Sequence, residues 1–209
     1  AIDLNMDSKY KTTFYLLQMK PLIGEKGSER VQIEEMEKKN VLMYSDHIMG
    51  NGMIDDLEEV LFIPQENYEI HETLEIAAEI ESFNKEMVKE KKNYILIGPG
   101  RWGTRDRLLG IPVNWPMISN AKIIAEYSYP GLGGQASMGS HFFHNVTAMR
   151  IGYFNLTDSR VEHIFNVDLI RNQELVSEGK YVKRYRFKTP FSVHMDGLAG
   201  EGLVCLKDK

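Results

Sequence analysis

The segment NYILIGPGRWGTRDRLLGIPVNW, from Asn93 to Trp115, contains the clearest structural signal in this chain. Its apolar run Tyr94–Ile97 is typical of a buried β-strand, and Gly98-Pro99-Gly100 ends that strand abruptly. Open α/β sheets place ligands at the loops that follow the carboxyl ends of their strands. We therefore predict a buried strand followed by a loop at a ligand-binding edge.

The side chains of this loop suggest an anionic ligand. Glycine lets a backbone approach a ligand closely, and arginine forks onto phosphate or carboxylate oxygens, so Gly98, Gly100, Arg101 and Arg105 are predicted ATP- or phosphate-binding residues, with Arg101 the main contact. Trp102 is predicted to stack on a substrate. The loop matches neither the P-loop nor the dinucleotide-binding pattern. The alternative is a turn whose arginines pair with the abundant acidic residues.

Composition narrows the class of protein. The chain has 209 residues, with 43% hydrophobic and 26% charged residues, which is ordinary for globular domains. Its net charge of −5 argues against a general nucleic-acid binder. The single cysteine, Cys205, excludes an intramolecular disulfide and is expected in the core. Without a membrane span or signal peptide in the sequence, we expect a cytoplasmic protein with no nucleic-acid or membrane partner.

Hydrophobic patterning predicts an α/β or α+β fold, a mixed β-sheet with few helices. Residues 1–22 are predicted to form a β-hairpin and 24–40 a polar boundary. Strands are predicted at 41–49 and 58–65, joined by a turn-rich connection at 50–58. A helix is predicted at 72–92, because Ile76, Ile80, Phe83 and Met87 share one face.

The second half of the chain is predicted to be mostly strands. Strands are expected at 121–129 and 151–156, a helix at 140–150, and an element of ambiguous type at 162–170. The tail is β-rich, with a turn at Asp196-Gly197. Alternation in 180–188 places Arg184, Arg186 and Lys188 on one face, either as a basic docking strip or as a charged, exposed edge strand.

Three strings carry a family resemblance. AIDLN…FYLLQMKPL resembles the closing strands of the ATP-grasp nucleotide-binding domain in the pyruvate phosphate dikinase and phosphoenolpyruvate synthase family. LIGPGRWGTRDRLLGIPVNWPMISNAK and GSHFFHNVTAMRIGYFNL resemble the C-terminal region of a subgroup of these proteins. The resemblance covers roughly residues 1–22 and 94–156.

The resemblance implies two domains in this chain. Residues 1–25 would be the closing strands of a truncated ATP-grasp domain, and 30–209 a C-terminal mixed α/β domain. The longer parent would use ATP and Mg²⁺, with Gln18 contacting the Mg²⁺ shell and ATP, and Lys20 meeting phosphate in place of the family arginine. Its partners would be the N-terminal ATP-grasp domain of the same chain and a small-molecule phosphoryl acceptor such as pyruvate. A homo-oligomer is a further expectation.

Family dikinases relay phosphate through a histidine, and His141 is the matching candidate catalytic residue. It follows Gly133-Gly134 at a longer interval than the family motif has, so a packed or capping histidine is the alternative. Asp46, His47 and nearby acids have no diagnostic metal-ligand spacing.

Two functions of different classes follow. The first is the C-terminal domain of an ATP-dependent phosphotransferase resembling phosphoenolpyruvate synthase, inactive as a fragment. The second is a non-catalytic anion-sensing or docking domain attached to an ATP-grasp kinase.

Overall fold

A computed structural model describes residues 2–3, 13–14, 40–104, 106, 108–129, 132, 149–157 and 163–207. Near the amino end, β1 (Ile2–Asp3) pairs antiparallel with β2 (Thr13–Phe14), where the hairpin is predicted. Its origin in an ATP-grasp domain stays a proposal. The predicted helix at 140–150 lies largely outside the described residues.

The remaining elements are mostly strands. The strands are β3 (Val41–Ser45), β4 (Ile48–Met49), β5 (Gly52–Phe62), β6 (Tyr94–Pro99), β7 (Arg101–Trp102), β8 (Gly110–Ile111), β9 (Ala121–Tyr127), β10 (Gly152–Leu156), β11 (His163–Phe165), β12 (Glu174–Glu178), β13 (Lys183–Asp196) and β14 (Glu201–Leu206). The helices are α1 (Thr73–Glu90) and α2 (Val167–Arg171), and short 3₁₀ turns cover Gln65–Asn67, Ile70–Glu72 and Trp115–Ile118. The predicted mixed α/β fold is confirmed, and the ambiguous segment 162–170 contains both β11 and most of α2.

Within the described residues, ten strands form one mixed sheet in the order β11-β3-β14-β13-β5-β6-β9-β10-β4, with β12 beside β13. β5, β6, β9 and β10 are mutually parallel, and the other pairs are antiparallel. The sheet curls, because β3 and β4 are separated by two residues yet pair with strands far apart in this order. Ser45 Oγ donates to the Asn155 carbonyl at 2.6 Å, and Asn155 N donates to the His47 carbonyl at 3.0 Å. These bonds join the two ends of the curl.

Both faces of the parallel strands are buried. On one face, Tyr94 and Leu96 pack with α1, which buries the predicted stripe Ile76, Ile80, Phe83 and Met87. On the other face, inside the curl, lie Ile95, Ile97 and apolar side chains of β13 such as Phe187 and Phe191. Such two-sided burial explains why β6 is a continuous apolar run.

The connection predicted at 50–58 is wrong, because β5 already begins at Gly52. The polar residues belong to an irregular part of the β5–β13 ladder, where the register shifts and Asp56 has a φ of 64°. Ser192 Oγ donates to Asp55 Oδ1 at 2.8 Å and Lys207 Nζ to Asp56 Oδ1 at 2.8 Å. The polar residues of this segment are typical of a turn, but pairing with the distant strand β13 makes most of it part of a strand.

The interpretation of 180–188 as an exposed edge strand is wrong, and one arginine of the proposed docking strip is buried. β13 pairs with β5 on one side and with β12 and β14 on the other, so it is not an edge strand. Arg184 is buried rather than presented to a partner. The expectation that Cys205 lies in the core is confirmed, since its side chain is buried in β14.

The arginines of β13 instead surround a buried carboxylate on β5. Glu59 is 1% exposed and accepts from Lys92 Nζ at 2.7 Å, Arg184 Nε at 2.9 Å and Arg186 Nε at 2.8 Å. Arg184 also donates through its terminal nitrogens to Glu90 of α1. Burial alone would raise the pKa of Glu59, but the hydrogen bonds from Arg184, Lys92 and Arg186 outweigh it and lower the pKa from 4.5 to about 2. This ionic cluster ties β5, β13 and α1 together.

A carboxylate with a lowered pKa stabilises the fold above its unfolded-state pKa, and this contribution is lost as pH falls through the folded value. We therefore expect stability to decline between pH 4.5 and about 2. Glu59→Gln leaves three cations without their shared anion and should cost about 3–5 kcal/mol at neutral pH. Chemical denaturation of both proteins across this pH range measures the effect.

Glu81→Gln is the matched control, because Glu81 forms an exposed i,i+4 pair with Lys85 on α1. It should change stability by about 0.5 kcal/mol or less. Equal effects of the two substitutions would contradict a structural role for the Glu59 cluster.

Candidate functional site

The carboxyl ends of the four parallel strands meet at one edge of the sheet. β5 ends at Phe62, β6 at Pro99, β9 at Tyr127 and β10 at Leu156. The Ile63 amide donates to the Ile97 carbonyl at 3.0 Å, and the Gly100 amide to the Tyr127 carbonyl at 3.1 Å. The edge is therefore hydrogen-bonded up to the point where the chain leaves the sheet. This is where the sequence predicts a ligand.

The backbone amides of the loop Gly98–Gly103 donate hydrogen bonds to acceptors within the protein. Arg101 N donates to the Leu109 carbonyl at 3.1 Å and Gly103 N to the Ile111 carbonyl at 2.9 Å, as β7 pairs parallel with β8. Trp102 N donates to Glu126 Oε1 at 2.9 Å. With Gly100 N bound to Tyr127, consecutive amides from 100 to 103 all have acceptors inside the protein. A phosphate at this loop would have to be held by side chains.

Close packing requires glycine at Gly98 and at Gly110, whereas Gly100 and Gly103 have positive φ angles of 73° and 67°. A Cβ on Gly98 would lie 2.7 Å from Trp102 Cζ2, and a Cβ on Gly110 only 2.0 Å from the Arg101 carbonyl oxygen. Trp102 is fully buried, and its Nε1 donates to the Ala125 carbonyl at 3.1 Å. The structure therefore places the Trp102 ring in the core instead of on an open surface. Gly98 is required by that ring.

Glu126, near the end of β9, is the buried centre of this arrangement. Its side chain is fully buried, and its two carboxylate oxygens accept from Trp102 N at 2.9 Å and from Tyr153 Oη at 2.7 Å. Glu126 thus connects the loop after β6 with β9 and β10.

A cleft of about 220 Å³ opens beside this loop, at the same carboxyl edge. Its aromatic lining is Phe62, Tyr127, Tyr129 and Phe165, with Val167 beside them. Its polar lining is Gln65 and Glu66 from the turn after β5, Ser128 after β9, and Arg171 of α2. The lining thus comes from the parallel strands on one side and from β11 and α2 on the other.

The floor of the cleft is a fixed aromatic group. The Tyr127 and Phe165 ring centroids are 5.3 Å apart, and those of Phe62 and Tyr127 are 6.0 Å apart. Tyr127 Oη donates to the Ile63 carbonyl at 2.8 Å, and burial raises the pKa of Tyr127 well above its usual value. Its phenol therefore stays neutral. Ser128 Oγ donates to the Thr157 carbonyl at 2.9 Å, which leaves its lone pairs as acceptors.

The two charged residues that line the cleft form an ion pair on its exposed rim, here called its mouth. Arg171 Nη2 lies 2.7 Å from Glu66 Oε1, and their side chains are 49% and 55% exposed. The two residues are 105 positions apart in the chain. Both charges are accessible to a solute.

The hydroxyl of Tyr68 is buried beside the loop after β6. Tyr68 is 7% exposed, and its hydroxyl has no hydrogen-bond partner in the part of the chain that the structure describes. The oxygen lies 3.5 Å from the position that a Cβ on Gly100 would occupy. Burial, with a smaller contribution from Tyr129, raises the pKa of Tyr68 to about 12. Among the described residues, no hydrogen bond offsets the cost of burying this hydroxyl.

The predicted site residues are only partly brought together. Gly98, Gly100, half-buried Arg101 and Trp102 lie at the carboxyl edge, as the sequence predicted. Gln18, Lys20, Arg105 and His141 lie outside the described residues. No group of three or more His, Cys, Asp or Glu side chains able to hold a metal occurs within the described ranges.

Sequence reasoning missed Glu126, Tyr68 and the pair Glu66–Arg171. A glutamate inside the apolar strand AKIIAEY was a usable signal, because a carboxylate is rarely buried without donors. The pair Glu66–Arg171 has no local signal, since only the curl of the sheet brings it together.

Comparison with protein families, with curated proteins and with solved structures finds no match for this chain. The dikinase resemblance therefore stays a prediction. None of the described helices has the length and apolar character needed to cross a membrane.

The two tyrosines of the site give a matched prediction. Tyr127→Phe removes a buried hydrogen bond to Ile63 and should lower the free energy of unfolding by about 1 kcal/mol. Tyr68→Phe removes a hydroxyl that has no hydrogen-bond partner among the described residues, so it should leave stability unchanged or raise it. Urea unfolding measures both free energies. A loss of stability in Tyr68→Phe as large as that in Tyr127→Phe would show that the Tyr68 hydroxyl does have a hydrogen-bond partner.

Proposed function

We propose that this chain is a non-catalytic domain that binds a small molecule in the cleft at the carboxyl edge of its parallel strands. The observation that carries the proposal is the convergence there of an aromatic floor with accessible charged and hydroxyl groups. Pockets for small molecules are typically apolar with a few placed polar groups, and they favour this edge of α/β sheets.

The loop Gly98–Gly103 supports a binding role more than a phosphate-cradling one. Phosphate loops hold their ligand with free backbone amides. In this chain the amides of residues 100–103 have acceptors within the fold. The loop instead fixes Glu126 and the end of β9, from which Ser128 and Tyr129 enter the cleft. It acts as a support for the binding edge.

In the longer parent protein that the resemblance implies, binding of a small molecule to this domain would regulate an ATP-grasp kinase domain. Phosphoryl transfer with ATP and Mg²⁺ to pyruvate or a similar acceptor, in the cytoplasm, stays a proposal for that parent. Its candidate residues Gln18, Lys20 and His141 lie outside the described residues, and Arg101 stays a candidate anion contact.

A ligand panel tests the binding role. We would measure binding of amino acids, small carboxylates, amines, phosphate, phosphoenolpyruvate and ATP by ligand-observed NMR and by thermal shift. Gln65→Trp places a bulky ring at the mouth of the cleft, where Gln65 is exposed. It should abolish binding of the cleft ligand without lowering stability by more than about 0.5 kcal/mol.

Ser82→Trp is the control, because Ser82 is exposed on α1 and does not line the cleft. It should bind as the unmodified protein does. Absence of binding across the panel at millimolar concentrations would overturn the proposal. Phosphate binding that is lost in Arg101→Ala and kept in Gln65→Trp would instead place the site at the loop.

A further inference from the structure

The charges at the cleft mouth restrict the class of ligand, an inference that rests on the proposed binding function. Glu66 and Arg171 pair at 2.7 Å while both remain about half exposed. Exposed ion pairs of this kind are individually weak, so a ligand can separate them at little cost. Such a ligand must then supply a new partner for the Glu66 carboxylate and for the Arg171 guanidinium.

A ligand with one charge cannot do so. A plain anion on Arg171 would approach the Glu66 carboxylate and release it without a partner. A plain cation on Glu66 would do the same to the guanidinium of Arg171. A zwitterion can place its carboxylate on Arg171 and its ammonium on Glu66, so that each charge exchanges one partner for another. Ser128 Oγ, which already donates to Thr157, can accept a further bond from the ammonium.

The floor of the cleft specifies the remainder of the ligand. The ring centroids of Phe62, Tyr127 and Phe165 lie within 6.3 Å of one another. Phe62 and Tyr127 are almost fully buried, so the accessible aromatic surface of the cleft comes from the partly buried rings of Tyr129 and Phe165. Aromatic pairs favour offset or tilted contacts at such spacings, so a ring or a branched aliphatic group would pack well. The cleft volume of about 220 Å³ is below the range of about 300–1,000 Å³ typical of drug-sized ligands. The ligand is therefore small.

We propose that this cleft binds a free α-amino acid with an aromatic or large aliphatic side chain, its carboxylate on Arg171 and its ammonium on Glu66. The aromatic floor receives the side chain. In the proposed binding domain, this amino acid is the molecule sensed.

Three related probes test the charge requirement by isothermal titration calorimetry on the full chain. L-Phenylalanine carries both charges, 3-phenylpropionate lacks the ammonium, and phenethylamine lacks the carboxylate. Phenylalanine should bind at least about tenfold more tightly than either analogue, because each analogue leaves one charge without its partner. Equal affinity of the three probes would overturn the inference.

Matched variants test the two residues. Arg171→Met and Glu66→Gln should each weaken phenylalanine binding at least about tenfold, since each removes one of the two charge contacts. The exposed pair Glu81–Lys85 on α1, at 2.8 Å, supplies the controls. Glu81→Gln and Lys85→Met should leave affinity unchanged. Unfolding measurements on all four variants verify that the fold is retained, and unchanged affinity in Arg171→Met would contradict the assigned contact.

The outcomes separate this inference from the proposed function. If a carboxylate, amine or phosphate compound of the panel binds in a manner that Gln65→Trp abolishes, while neither phenylalanine nor leucine binds, the amino-acid assignment fails and the cleft remains a binding site. If nothing binds, both fail. Binding of phenylalanine that Gln65→Trp leaves intact would contradict this cleft as its site.

Discussion

Two-sided burial of four parallel strands is the constraint on which the described structure depends. β5, β6, β9 and β10 pack against α1 on one face and against the interior of the curled sheet on the other. Where these four strands pair with one another, their side chains must therefore be apolar or fully paired. Accessible polar groups lie where the strands end and in the part of β5 that precedes Glu59, and the cleft lies at the carboxyl edge.

Two glutamates inside this framework show how a buried carboxyl group is accommodated. Near the amino end of β6, Glu59 is surrounded by the cations of Lys92, Arg184 and Arg186. Near the carboxyl end of β9, Glu126 accepts from the Trp102 amide and the Tyr153 hydroxyl. The first fixes the long strand β13 and helix α1 against β5. The second fixes the loop after β6, so that the binding edge rests on a rigid support.

The loop GPGRWG thus has a structural explanation that its composition does not suggest. Gly98 leaves room for the Trp102 ring, and Gly110, further along the chain, lets the Arg101 backbone approach closely. The amides of the loop are used within the fold, and its tryptophan is buried. The sequence of this loop is typical of a ligand-binding loop, yet the loop supports the neighbouring cleft. The residues that line the cleft form no recognisable sequence motif.

The sequence by itself determined the local elements: helix α1 from its apolar stripe, and β6, β9 and β10 from their apolar runs. These signals are local because burial requires apolar residues at fixed spacing along one element. Tertiary structure alone decided that the polar segment at 50–58 continues a strand, that Arg184 is buried, and that Glu66 meets Arg171. Each of these depends on a partner far away in the chain, and residue spacing within one element contains no information about which distant charge or strand the curl of the sheet will bring beside it.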